Sequence, residues 1–277
     1  MEKEMTPAAR AERSVITTYR RTIWNRFIGA IRDYRLISPG DRIGVCISGG
    51  KDSALMAVLF SHLQKYSEFP FEVRYICMDP GYTPENRQLI EHNMRTLGID
   101  AQYFETSIFR SVESVQDSPC YLCARLRRGY LYSCAQDLGC NKIALGHHFD
   151  DVIETTLMSM LYGAEVKTMM PKLHADHFEN MELIRPLYLV REHDILAWKN
   201  YNGLRFLQCA CRFTQDVADQ YHDSKRLEVK NLIAAMKKVN PQVDINIFRS
   251  MENVNVGQVI ATKKNKIKKS FLEDYDK

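Results

Sequence analysis

No apolar stretch of this 277-residue sequence approaches the ~20 residues that a membrane-spanning helix needs. The N-terminus, Met1-Glu2-Lys3-Glu4, lacks the basic-then-apolar order of a secretory signal. Both absences point to a cytoplasmic protein with no membrane partner. Thiols stay reduced there, so the eight cysteines are expected as metal ligands, reactive thiols or core residues rather than disulfides. Internal repeats and low-complexity linkers are also missing, which excludes a repeat array. Tryptophan is scarce, and Trp24 and Trp198 read as packing residues. Hydrophobic residues at 45% and charged residues at 26% are ordinary globular values, and the length is enough to bury a substantial core.

The net charge of +4 is small but unevenly placed. Lys3, Arg10, Arg13, Arg20, Arg21, Arg26, Arg32 and Arg35 crowd the first forty positions. Lys263, Lys264, Lys266, Lys268 and Lys269 crowd the tail. Such clusters suit a polyanion such as RNA. A solvated helix face and a mobile basic tail account for them equally well.

Val15, Tyr19, Ile23, Phe27 and Ile31 recur every four residues, which predicts one amphipathic helix up to the turn at Pro39-Gly40-Asp41. Strands are then predicted at 42–47, 72–78, 101–105, 142–145 and 183–185. Helices are predicted at 53–66, 84–97, 121–138, 149–162 and 191–201, with helical sequence again over 215–252. Alternation at this spacing implies an α/β fold with a Rossmann-like parallel sheet. The expected organisation is an N-terminal helical segment over 1–40, a core domain over 41–212, a C-terminal helical segment over 213–260 and a basic, mobile tail over 261–277.

Ser48-Gly49-Gly50-Lys51-Asp52-Ser53 follows the first strand and opens a helix. Glycines let a backbone approach an anion, and free N–H groups at a helix N-terminus point at it. Lys51 adds a positive charge; Ser48 and Ser53 add hydroxyls. The Walker loop is excluded, because it needs Gly where Val45 stands and Ser or Thr where Asp52 stands. The segment looks like the pyrophosphate loop of ATP pyrophosphatases, which cleave ATP to AMP and pyrophosphate. Ligands of parallel sheets bind beyond the C-terminal strand ends. Asp79, Gly146 and His147 fall at such ends too, which predicts one shared site. His147-His148 with Asp150 and Asp151 reads as a turn and helix cap lining a nucleotide pocket rather than as a metal site.

Cys120 and Cys123 form a C-x-x-C pair after Pro119, and Cys209 and Cys211 a C-x-C pair far downstream. Spacing leaves open tetrahedral zinc, a redox pair and an iron–sulfur cluster, and slightly favours zinc. Cys46 and Cys77 read as strand core, and Cys134 and Cys140 flank a helix end.

Cys120-x-x-Cys123-Ala-Arg-Leu-Arg127-Arg128-Gly129, Ala144-Leu145-Gly146-His147-His148-Phe149-Asp150-Asp151, Pro171-Lys172-Leu173 and Ile184-Arg185-Pro186-Leu187 together resemble the tRNA 2-thiocytidine synthetase family. The resemblance runs over roughly residues 20–255. It implies adenylation of the O2 of a tRNA cytidine by ATP with Mg²⁺, followed by sulfur insertion. It further implies a 4Fe-4S cluster on Cys120, Cys123 and either Cys209 or Cys211, through which sulfur passes, and a sulfur donor such as a cysteine desulfurase or sulfide. A homodimer is compatible with it. By this resemblance Lys51, Asp52 and Arg127 are the catalytic candidates. Ser48, Gly49, Gly50, Lys51, Asp52, Ser53, Asp79, Gly146, His147 and Asp151 are the nucleotide candidates. Arg125 and Arg128 are weaker candidates, for tRNA phosphates.

Two departures stand out. The family's downstream cysteines are spaced C-x-x-C, and the segment Asp79-Pro80-Gly81-Tyr82 is shorter than the family pattern. Two alternatives remain open: an iron–sulfur carrier or desulfurating protein on the same scaffold, and an ATP pyrophosphatase acting on a small molecule. The zinc-type cysteine pairs of the 2-thiouridine enzymes are absent near both termini.

Overall fold

The computed structural model describes residues 5–109, 119–207 and 222–275. Cys209 and Cys211 lie outside them. The N-terminal apolar repeat does not form one helix. It runs through α1 (Pro7–Ile16), a π-helical turn (Arg20–Trp24) and α2 (Asn25–Asp33). A strict four-residue repeat drifts by roughly 40° per step around a helix of 3.6 residues per turn. The wider π turn takes up that drift. Ala11, Val15, Ile23, Phe27 and Ala30 consequently all stay buried.

The sheet contains β1 (Arg42–Ile47), β2 (Glu72–Asp79), β3 (Ala101–Glu105), β4 (Lys142–Ala144), β5 (Lys172–His174) and β6 (Glu182–Ile184). Its order is β3-β2-β1-β4-β6-β5. Every pairing is parallel except β5 with β6, which is antiparallel. The central strands β1, β2 and β4 carry buried side chains such as Val45, Ile76 and Ile143, as expected for strands covered on both faces. The connecting helices are α3 (Lys51–Tyr66), α4 (Pro84–Thr96), α5 (Pro119–Asp137), α6 (Phe149–Gly163) and α7 (Glu192–Tyr201). α3 is the most deeply packed, with every residue from Ser53 to Phe60 buried.

A polar cluster fixes the N-terminal strand ends. The Lys142 ammonium is buried between Asp41 Oδ2 at 2.9 Å and Glu182 Oε2 at 3.1 Å, and it donates to the Leu36 carbonyl at 2.9 Å. Each carboxylate meets a cation, so burial here is compensated. This leaves the opposite strand ends free for a site. Between β1 and β4 the order of connection reverses, which is the switch point where open α/β sheets bind ligands.

The chain divides into two compact units. One takes the residues up to Val152 together with Met169–Ser224; the other takes Ile153–Thr168 with Lys225–Lys277. The N-terminal helices thus share a unit with the sheet. Of the helical sequence predicted over 215–252, residues 215–221 lie outside the described ones; the rest, from Lys225 on in the second unit, forms α8 (His222–Val239) and α9 (Val243–Ser250). The break falls at Asn240-Pro241, because proline disfavours helical backbone in the residue before it. The lysine-rich tail, expected as mobile, carries a hairpin of β7 (Ala261–Lys264) and β8 (Ile267–Ser270), then a short α10 (Leu272–Tyr275).

Candidate active site

The turn after β1 reverses sharply. Gly49 has φ 82°, in the left-handed region that favours glycine. A Cβ there would lie 2.8 Å from Ile90 Cδ1, so position 49 excludes side chains on two counts. Gly50 then caps α3 without any side-chain hydrogen bond to the first turn. The orphan N–H groups of that turn are therefore left for a ligand. The serines brace the loop. Ser53 Oγ accepts from Ser48 N–H at 3.1 Å and lies 3.1 Å from both Ser48 Oγ and the Gly50 carbonyl.

The loop after β4 presses against this turn. A Cβ on Gly146 would lie 3.1 Å from Ser53 N and 3.2 Å from Asp52 C. Only glycine lets the two backbones meet. His148 then begins α6 with a reciprocal cap: its N–H donates to Asp151 Oδ2 at 3.0 Å, and Asp151 N–H donates to His148 Nδ1 at 3.4 Å. This is the capping-box arrangement with histidine in the serine position.

Asp52 sits in the first turn of α3. Burial raises its pKa above the ordinary carboxylate value, against the opposing pull of His148 and Lys51. Its Oδ2 lies 3.2 Å from Lys51 Nζ. Its Oδ1 is buried with no hydrogen-bond partner and stands 3.9 Å from His148 Nε2. An orphaned carboxylate oxygen beside a phosphate turn fits a Mg²⁺ ligand, since Mg²⁺ takes one or two carboxylates plus phosphate oxygens. Lys51 Nζ is shared with Glu192 Oε1 at 3.3 Å. Glu192 opens α7, and nothing in the local sequence marks it for this place.

These elements surround a cavity of about 430 Å³. Ser48, Asp52 and Ser53 line it from the loop, Gly146, His147 and Asp151 from the far side, and Arg127 and Arg128 from α5. Cys46, Met78, Leu131 and Leu145 supply apolar wall. Cys46, expected as strand core, is both core and cavity wall. Burial pushes the thiols of Cys46 and Cys77 up to about 12, which makes them inert.

Gly49, Gly50, Lys51 and Asp79 are not among the residues lining this cavity; Gly50 and Lys51 line a second hollow with Asp52 and Glu192. Asp79 stands at the end of β2. Its Oδ1 accepts the N–H groups of Gly81 and Tyr82 at 2.8 and 2.7 Å, and its Oδ2 accepts from Arg87 at 2.7 Å. Burial raises its pKa, but these donors outweigh burial and hold it below the usual range. The carboxylate shapes the turn that sends the Tyr82 hydroxyl to the Ser48 carbonyl at 3.4 Å.

Cys120 and Cys123 occupy the first turn of α5, at a spacing that makes two positions neighbours on a helix surface. Cys123 is half-buried and packs against the small cluster of Met78 and Ile108. Arg127 follows one turn later and reaches the cavity. Cys46, Cys77, Cys123, Cys134 and Cys140 are thiols, not disulfides. Among the described residues no group of three or more His, Cys, Asp or Glu is placed to hold a metal ion.

A PP-loop domain family model matches residues 22–216. The tRNA-cytidine(32) 2-sulfurtransferase of Geotalea uraniireducens is 37% identical over 235 residues, covering 84% of this chain and 91% of that protein. The chain belongs to the tRNA 2-thiocytidine synthetase family of PP-loop proteins. A second such 2-sulfurtransferase, from Geobacter sulfurreducens, is 36% identical over 229 residues, 81% of this chain and 86% of that one. Among solved structures, the U34-tRNA thiolase NcsA from Methanococcus maripaludis with its 4Fe-4S cluster is similar at TM-score 0.65 and 20% identity, over 83% of this chain and 78% of that one. At that identity the likeness speaks for the fold. Membership in the PP-loop family agrees with the loop geometry: the phosphate turn, its glycine-packed neighbour and the cysteine-bearing helix surround one cavity.

Proposed function

We propose that this enzyme uses ATP to replace the O2 of a tRNA cytidine with sulfur. One observation carries the reading. Ser48, Asp52 and Ser53 of the pyrophosphate loop and Arg127, one turn beyond Cys123, line the same cavity. Nucleotide activation and a sulfur site then adjoin each other. The relatives' shared name supports the choice of tRNA cytidine.

In the first step the cytidine O2 attacks the α-phosphorus of ATP and pyrophosphate leaves. In the second, sulfur at the sulfide level attacks C2. The C2–O2 bond breaks, AMP departs with that oxygen, and the sulfur proton goes to solvent. The N–H groups at the start of α3 hold the phosphates. Lys51 and Arg127 neutralise the charge that develops as pyrophosphate leaves. Glu192 keeps the Lys51 ammonium at the mouth of the loop. Asp52 Oδ1 would hold Mg²⁺, and Cys120 and Cys123, with Cys209 or Cys211, would hold a 4Fe-4S cluster. When bound, that cluster supplies an iron able to carry sulfur. The proposed partners are tRNA and a sulfide source or cysteine desulfurase.

The test is anaerobic protein incubated with α-labelled ATP, sulfide and bulk tRNA. AMP, pyrophosphate and 2-thiocytidine should appear in equal amounts. Release of ADP and phosphate, or AMP without thiolated nucleoside, would sink the reading. Cys123→Ala should lose bound iron and acid-labile sulfide.

A further inference from the structure

We infer that the β7–β8 hairpin binds the phosphodiester backbone of RNA and that the aromatic groove beside it takes unstacked bases; that this RNA is a tRNA rests on the function proposed above. Residues 261–270 read Ala-Thr-Lys-Lys-Asn-Lys-Ile-Lys-Lys-Ser, with five lysines and no acid. The register places Lys263 directly opposite Lys268. Like charges in that position destabilise a strand pair. Lys263 lies 3.8 Å from Glu165, which also pairs with Lys167.

The turn carries a second cost. Asn265 and Lys266 have φ of 52° and 67°. A two-residue turn with both positions left-handed favours Asn followed by Gly. Lysine at the second position keeps a cation at the tip and accepts backbone strain. The lysine repulsion is relieved when the hairpin meets a polyanion, and the tip cation gains a partner there.

The distribution of charge selects RNA over a lipid surface. Opposed residues share a face, so Lys264, Ile267 and Lys269 project to one side and Lys263 and Lys268 to the other. Cations thus occupy both faces and mix with isoleucine, whereas a membrane-surface element segregates them from an apolar face. Next to the hairpin a groove of about 390 Å³ is lined by Val256, Thr262, Lys269, Phe271 and Tyr275. Phe271 and Tyr275 meet edge-on at 6.0 Å, and Tyr275 is 72% exposed. Exposed aromatics beside lysines suit unstacked bases of a single strand.

The experiment is titration of bulk tRNA and of polyuridylate with the full chain, from about 50 to 200 mM salt. The triple variant Lys264→Gln, Lys266→Gln, Lys268→Gln should bind both RNAs at least ~10-fold more weakly, with a log–log salt slope shallower by about 0.7–0.9 per lost contact. The same positions changed to Arg should restore binding. Lys266→Gly relaxes the turn while removing one charge, and should flatten the slope by one contact, separating charge from folding. Unchanged affinity and slope in a folded triple variant would overturn the inference. So would hairpin-dependent binding to phosphatidylserine vesicles with RNA binding unaffected. If the wild type binds polyuridylate through these lysines but thiolates no tRNA, the proposed function fails and the RNA-binding hairpin stands.

Discussion

Asp52 is the residue where stability and activity pull apart. Its carboxyl is buried at a helix start with one oxygen unpartnered, and burial raises its pKa. The folded state therefore holds a proton at pH values where the unfolded chain has released it. Stability falls as pH rises from the unfolded value, ~3.9, through the raised folded value, and stays lower at neutrality. Asp52→Asn should then melt at a higher temperature than wild type at pH 7. The difference should fade below about pH 4, where both states are protonated in the wild type. The same change should lower ATP turnover on the order of 10²–10³-fold, the usual cost of losing one group that stabilises developing charge. Paired thermal melts at the two pH values check the first part. Equal melting at both would mean that His148 and Lys51 already compensate the buried charge.

At the scale of elements, the site is made by the contact of two turns. The β1–α3 turn presents free N–H groups, and the β4–α6 turn reaches it because Gly146 has no side chain. In Gly146→Ala the new methyl meets backbone atoms of Asp52 and Ser53 at 3.1–3.2 Å, and backbone cannot swing aside as a side-chain tip can. Overpacking of this kind costs about 1–3 kcal/mol. It should also shift the α3 N-terminus away from the phosphates. Equilibrium dialysis with ATP should show weakened binding, with a parallel drop in the denaturation midpoint. Gly163→Ala is the control, since a Cβ there meets nothing within 4 Å. Similar losses in both variants would argue against close packing as the cause.

For the whole molecule, every residue lining the cavity belongs to the unit that carries the sheet. Occupying the cavity should therefore stabilise that unit by mass action. ATP at ~100 times its dissociation constant adds about 2.7 kcal/mol to the folded state. Calorimetry with and without ATP measures this increment, and Gly146→Ala should lose most of it. An equal increment from free adenosine would mean that the phosphate turn contributes nothing to binding. The second unit keeps a smaller core, including Val229, Ile233 and Val243, and offers the basic hairpin.

The local chemistry of the chain determined much of this on its own. Strand–helix alternation fixed the parallel sheet because apolar runs of strand length, separated by helical periods, have few other ways to bury themselves. The turn at 48–53 was legible because glycines, a helix start and a lysine act within six neighbouring residues. Pairings distant in sequence were decided by the tertiary structure. Glu192 reaches Lys51 across more than a hundred residues. Asp79, read as a nucleotide candidate, has both carboxylate oxygens engaged by Gly81, Tyr82 and Arg87. Cys46 proves to be cavity wall as well as core. The π turn and the β7–β8 hairpin were hidden for a related reason. Each depends on how a short segment compromises between its own pattern and the surface it packs on, and local periodicity records only the first.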